Sequence, residues 1–179
     1  GQILLGGAFT GVWGTARNNI ARVSSTWLLD TSFNPNANNT VSTIALQSDG
    51  QVLLGGVFTT VWGTARNRIA RVSSTWLLDT SFNPNANNTV TSLVLQPDGK
   101  ILIGGVFTSL SSTSRTFIGR ISNTGLLDTS FNPVLANTVY ALYYSSNWEI
   151  FAWGNFTSAW WVPRTQLAKI LSHGSIDYN

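Results

Sequence analysis

Cysteine and methionine are absent from this 179-residue chain, and histidine occurs once. Without cysteine there are no disulfides, thiolate metal sites or cysteine nucleophiles. Charge is also scarce, at 9% of residues against roughly 25% in ordinary globular proteins. The net charge of +3 is small and evenly spread, so no basic stripe marks a nucleic-acid partner. No apolar run approaches the ~20 residues of a membrane span. No segment carries a helical period, which leaves an all-β chain. Asp-x-Asp-x-Asp runs are missing, so no dedicated calcium loop is expected. The Gly-Gly pairs lack the spacing and the following Lys-Ser/Thr of a phosphate loop.

What is present is a repeat. Gly1 to Asp49 returns as Gly50 to Asp98 with 40 of 49 positions unchanged. A looser copy spans 99–147, and a partial, divergent one spans 148–179. The clearest marker, Leu28 to Pro35, recurs at Leu77 to Pro84 and Leu126 to Pro133 and fades into Ser175 to Asn179. A period of this size means supersecondary units that cannot each bury their own apolar face and must stack. With 43% apolar residues, one domain can bury a sizeable core. The polar positions are filled by Ser, Thr and Asn, which repel one another little and tolerate dense packing.

Each copy reads as three strands and a turn-rich segment: Gln2–Thr10, Asn19–Ser24 and Thr40–Gln47 in the first. Ile3, Leu5 and Phe9 share one face and Leu4 and Ala8 the other, so that strand is expected to be buried on both sides. Gly6-Gly7, with Gly55-Gly56 and Gly104-Gly105, suit a place where backbones crowd, as near a central axis. Asp49-Gly50 and Asp98-Gly99 predict tight hairpins. The Leu-Leu-Asp-Thr-Ser-Phe run is expected to form a short outer strand ended by Asn34-Pro35. The reading is a β-propeller of ~49-residue blades, with a three-sided β-solenoid as the alternative.

The block Asp98 to Thr108, then Arg66 to Arg71, then Leu-Asp-Thr-Ser-Phe-Asn-Pro, resembles the delta-60 repeat family of bacterial propeller proteins. That resemblance covers the whole chain. It implies a propeller in secreted, surface or phage-associated proteins, with an extracellular or cell-surface location and no common enzymatic activity. The chain departs from the family pattern at Trp27 and Trp76, where a turn glycine is usual and Gly125 and Gly174 keep it. It departs again at Trp13 and Trp62, in a spot that often holds Asn. A tryptophan in a tight turn calls for a reshaped loop or for a different residue.

Candidate reactive groups mostly follow the repeat, which marks them as blade-building. Arg17, Arg66, Arg115 and Arg164 share one position; Arg22, Arg71, Arg120 and Lys169 share a second. Asp30, Asp79, Asp128 and Asp177 share a third, and Asp49 and Asp98 a fourth. An Arg paired with an Asp would tie strands or adjacent blades together. Arg68, Lys100 and Glu149 are the charges left over. His173, without Cys, a second His or a carboxylate pair beside it in sequence, reads as a loop residue rather than a base or ligand. No catalytic residue, cofactor or metal is expected, and an enzyme is the weakest class.

Two features depart from the repeat. The divergent end is crowded with aromatics, among them Tyr140, Tyr143, Tyr144, Trp148, Phe151, Trp153, Trp160 and Trp161. Trp153 and Phe156 are expected in the core, while Tyr143, Trp148, Trp160 and Trp161 are candidates for a protein interface or a glycan platform. Asn38, Asn87 and Asn155 head glycosylation sequons, the first two in expected loops. The chain opens inside a repeat and stops 17 residues short of a fourth full copy. It therefore reads as a piece of a larger protein, or as a subunit completed by neighbours. Two functions compete: a non-catalytic structural repeat protein joined head to tail into a filament, and a multivalent sugar-binding propeller or adhesin.

Overall fold

The computed structural model describes residues 1–177 as sheets without helix. The first blade pairs β1 (Gln2–Gly6) with β4 (Ile20–Ser24) and carries a small hairpin, β2 (Gly11–Val12) and β3 (Thr15–Ala16), between them. The second blade has β5 (Val41–Leu46), β6 (Val52–Gly56) and β9 (Ile69–Val72), with hairpin β7 (Thr60–Val61) and β8 (Thr64–Ala65). The third has β10 (Val90–Leu95), β11 (Ile101–Gly105) and β14 (Ile118–Ile121), with β12 (Ser109–Leu110) and β13 (Thr113–Ser114). The fourth has β15 (Val139–Tyr144), β16 (Ile150–Gly154) and β19 (Leu167–Ile170), with β17 (Ser158–Ala159) and β18 (Val162–Pro163). All pairings are antiparallel, and Asp49-Gly50 and Asp98-Gly99 turn β5 into β6 and β10 into β11. The expected outer strand is present only as single bridges, Val23 to Leu29, Val72 to Leu78, Ile121 to Leu127 and Ile170 to Ile176.

The small hairpins explain where the long strand expected over Gln2–Thr10 stops. Val12 pairs with Thr15, and the two residues between them, Trp13 and Gly14, have φ of 47° and 79°. Two consecutive positive φ values make a two-residue hairpin whose twist suits the strands. Trp62-Gly63, Ser111-Ser112 and Trp160-Trp161 repeat that geometry.

Inner strands β5, β10 and β15 lie side by side, and each blade packs its face on the next. Three apolar clusters fill the junctions, one around Phe58, Leu54 and Val72, one around Phe107, Ile103 and Leu53, and one around Phe156, Ile150 and Leu102. Polar stitches accompany them: Thr91 Oγ1 donates to the Val139 carbonyl at 2.6 Å, and Ser92 Oγ accepts from Leu142 N–H at 3.1 Å. The Gly-Gly pairs sit where backbones meet. A Cβ at Gly104 would lie 2.7 Å from Val139 Cγ1, and one at Gly105 would lie 2.2 Å from the Thr89 carbonyl oxygen. Backbone crowding therefore requires glycine at both places.

Burial follows neighbour count. Strands β6 and β11 are wholly buried. The homologous β1 is not, since it pairs only with β4 and keeps Ile3 38% exposed. The expectation that this strand is covered on both sides holds inside the array and fails at its first blade. Phe156 is buried as expected; Trp153 is 51% exposed, because no described residue packs over the far face of the fourth blade.

Candidate functional site

The arginines and aspartates fixed by the repeat are spent on construction. Arg22 donates to Asp30 Oδ2 through Nε at 2.9 Å and Nη2 at 2.5 Å. Arg71 repeats this with Asp79 at 2.9 and 2.6 Å, and Arg120 with Asp128 at 2.9 Å. Each pair binds the third strand of a blade to the outer segment. Arg71 and Arg120 also reach the next blade, donating to the carbonyls of Asn123 and Ser172. Their guanidinium groups lie 4.4 and 4.3 Å from the ring centres of Phe82 and Phe131, a cation–π contact on a buried face. Lys169 takes the same role in the fourth blade, 2.8 Å from both Asp177 and Glu149.

The carboxylates respond accordingly. At Asp30 the Ser32 hydroxyl acts most strongly, and with Arg22 it outweighs burial and lowers the pKa to about 2. Burial is the largest influence at Asp128 and opposes ionisation; the Ser130 hydroxyl, Arg120 and Lys100 together overcome it and lower the pKa to about 2. Asp79 is also lowered, burial again being outweighed by Ser81 and Arg71. Lys169 is held above the ordinary lysine range by its hydrogen bonds to Asp177 and Glu149. These are anchored charges, not poised ones.

The other arginine row holds backbone. Arg17 donates to the carbonyls of Ala16 at 2.7 Å and Thr31 at 3.1 Å, and Arg66 to those of Ala65 at 2.7 Å and Thr80 at 3.0 Å. Arg115 does the same with Ser114 and Thr129. In the fourth blade Arg164 donates to the Pro163 carbonyl at 3.3 Å.

Two openings lie on the hairpin-turn side of the blades. One, of about 500 Å³, is formed where β5, β10 and β15 end, by Leu46, Gln47, Leu95, Gln96, Pro97 and Tyr144. Gln47 and Gln96 are both buried, and their Oε1 atoms have no hydrogen-bond partner among the described residues. The second, of about 300 Å³, lies between the third and fourth blades and shares Gln96 and Tyr144 with the first. It brings together Asp98, Lys100, Trp148 and His173, three of which depart from the repeat. Lys100 Nζ stands 3.7 Å from Asp98 and 3.4 Å from Asp128, so the cleft holds no unbalanced charge. His173 is exposed there in the turn after β19. Sequence reasoning did not connect Lys100 with His173, because only the stacking of blades joins them.

The remaining candidates do not converge. Tyr143 is 63% exposed on the far face of the fourth blade, with the rings of Tyr140 and Trp153 tilted at 55° and 5.2 Å apart beside it. Trp160 and Trp161, 42% and 89% exposed, occupy the turn between β17 and β18. Asn38 and Asn87 lie in exposed loops, and their side chains are in use: Asn38 Nδ2 donates to Thr59 Oγ1 at 2.8 Å while Oδ1 accepts from Thr59 and Thr60 N–H. Asn87 does the same with Thr108 and Ser109. Asn155 is exposed immediately after β16. No cluster of three or more metal-ligating side chains occurs among the described residues. Among the described residues no helix is long and apolar enough to cross a membrane.

Known proteins were compared with this geometry in hand. No curated protein matches. Among solved structures, the chain is similar to a protein of unknown function from Bacteroides caccae, with 17% identity and a TM-score of 0.45 over 88% of this chain. The matched part spans 57% of that neighbour. A family model described as "Domain of unknown function (DUF5122) beta-propeller" matches residues 1–33, 47–82 and 96–131. These segments make up more than half of the chain and fall in register on three successive blades, so the chain belongs to the DUF5122 beta-propeller family.

Proposed function

We propose that this chain is a non-catalytic, extracellular structural repeat protein that assembles by stacking its end blades copy against copy. The observation that carries this is the repeated junction, in which each blade seats one face on the opposite face of the next. On the first blade β1 has one paired edge, with Ile3 38% exposed, where its counterpart Val52 is 1% exposed. On the fourth, Tyr143 and Leu167 are 63% and 55% exposed on the face that, in the third blade, receives the next blade. Every interior junction is built from these same two kinds of face. The first blade of a second copy would meet the fourth blade of the first through β1 and β4, without the inner strand that β5, β10 and β15 bring to the interior junctions. Such a contact is heterologous and propagates into a filament or closes into a ring. Scarce charge supports the reading, since the end faces repel little. The delta-60 resemblance of the Asp98–Thr108 block supports the extracellular setting. Light scattering after size exclusion tests it: mass should rise with concentration, and a monomer at every concentration would refute it.

A second reading is favoured by the cleft of Asp98, Lys100, Trp148 and His173. Its balanced charge and exposed indole suit a neutral sugar, as in a lectin or adhesin. A glycan array separates the two, because a purely structural protein shows no sugar selectivity.

A further inference from the structure

Five of the chain's eight tryptophans, Trp27, Trp76, Trp148, Trp153 and Trp161, stand where other copies carry glycine. Seven have left-handed backbone: Trp13, Trp27, Trp62, Trp76, Trp148, Trp160 and Trp161, with φ between 47° and 68°. For a bulky side chain this is an outlier conformation that glycine adopts freely. The repeat identifies the native occupant at most of them. Trp27 and Trp76 align with Gly125 and Gly174, whose φ values are 90° and 102°. Trp148 aligns with Gly50 and Gly99, both at 83°, and Trp161 with Gly14 and Gly63 at 79° and 70°. Trp13, Trp62 and Trp160 share their position with Ser111, itself at 50°.

The eighth, Trp153, has ordinary φ and aligns with Gly55 and Gly104. There a mere Cβ would come within 2.6 Å of Thr43 Cγ2 and 2.7 Å of Val139 Cγ1 respectively. Packing accounts for Trp62 and Trp76, which lie against the Phe33 cluster, and not for the exposed indoles. Trp13, Trp27, Trp148, Trp153 and Trp161 are 51–89% exposed. Where the ring of Trp76 lies against Phe33, its counterpart Gly125 leaves 3.0 Å between a Cβ and the equivalent Phe82.

Every tryptophan falls at a left-handed or a glycine-aligned position, and one cause accounts for all eight. We propose that all eight positions carry glycine in the natural protein, their codon being UGA, which some genetic codes read as tryptophan and others as glycine. A codon read two ways converts a subset of glycines and leaves the other 16 glycines untouched. The consequence reaches the surface that matters for assembly, and to that extent rests on the stacking proposed above. Glycine at 153 gives the fourth blade the same Gly-Gly seat, beside Gly154, on which the second and third blades receive Val90 and Val139 of their neighbours. The partner that fits this seat is the inner strand of another blade of the same repeat. Glycine at 148, 160 and 161 removes the exposed indoles from the cleft and the last hairpin, and with them the sugar platform.

The test is peptide mass spectrometry of the chain isolated from its natural host. Glycine at all eight positions is expected; tryptophan at any of them overturns the proposal. A second measurement uses the recombinant chain as written and its Trp148→Gly variant. Relief of one left-handed indole shifts the folding equilibrium toward the native state by about tenfold, and a destabilised variant overturns the proposal as well. The assembly reading fails separately. A chain with glycine at all eight positions that remains monomeric sinks the stacking and leaves the glycine assignment standing.

Discussion

Adding one methyl group at Gly104 tests whether the blades are held as closely as the structure places them. The alanine Cβ would lie 2.7 Å from Val139 Cγ1 and 3.1 Å from Leu142 Cδ1, well inside ordinary contact. Both neighbours are side chains of the fourth blade, so the junction can yield by a few tenths of an ångström. Overpacking of this kind costs about 1–3 kcal/mol, and for a domain of this size each kcal/mol lowers Tm by about 2–4 °C. Gly105→Ala is the sharper comparison. Its Cβ would stand 2.2 Å from the Thr89 carbonyl oxygen, which accepts a 2.9 Å hydrogen bond from Val106 N–H. Backbone cannot rotate away, so the strand must shift or that bond must break, at more than about 3 kcal/mol. Gly1→Ala, with nothing within 4 Å, is the neutral control. Thermal unfolding followed by circular dichroism should rank the variants Gly1→Ala, Gly104→Ala, Gly105→Ala in falling Tm. If Gly104→Ala and Gly105→Ala melt with the parent, the close approach of strands inferred here does not exist.

Acid should weaken the chain in a defined window. A carboxylate whose folded pKa is depressed stabilises fully above its unfolded value of about 3.9. That stabilisation is lost as pH falls toward about 2, the folded value for Asp30 and Asp128. Urea midpoints should therefore drop between roughly pH 4 and pH 2, and a flat profile there would contradict the anchoring of these groups. Asp79→Asn leaves the buried Arg71 guanidinium without its charged partner and should cost about 3 kcal/mol, read from the shift in denaturation midpoint. Asn87→Ala removes the clamp on Thr108 and Ser109, costing about 1–2 kcal/mol. Faster hydrogen exchange at those two amides is the specific readout; unchanged exchange would deny the clamp.

How much of this was legible in the sequence depended on whether a feature repeats. The three strands of each blade and the Asp-Gly hairpins were readable, because alternating apolar residues and turn glycines recur at fixed offsets. That an arginine row would pair with the aspartates was readable, since both follow the period; that it is the row of Arg71 and not that of Arg66 was not. The short hairpins such as β7 and β8 were not. Two residues per strand carry no periodicity, and Trp62 ahead of Gly63 is not a usual hairpin dipeptide. The outer strand was over-read: Leu78 makes one bridge, and Arg66 holds the following loop through carbonyls that no sequence pattern announces. The cleft uniting Lys100 with His173 was invisible, because the two are joined only by the stacking of one blade on another. Burial of Gln47 and Gln96 escaped for the same reason.

The near-identity of the first two copies has a consequence for evolution and for engineering. Residues 49 and 98 are both Asp, followed by Gly50 and Gly99, so excising 50–98 would rejoin the chain at an identical seam. Because each unit touches only its immediate neighbours, the free energy of the array is close to a sum over adjacent pairs. Length can then drift by whole units through unequal recombination without any remaining junction being redesigned.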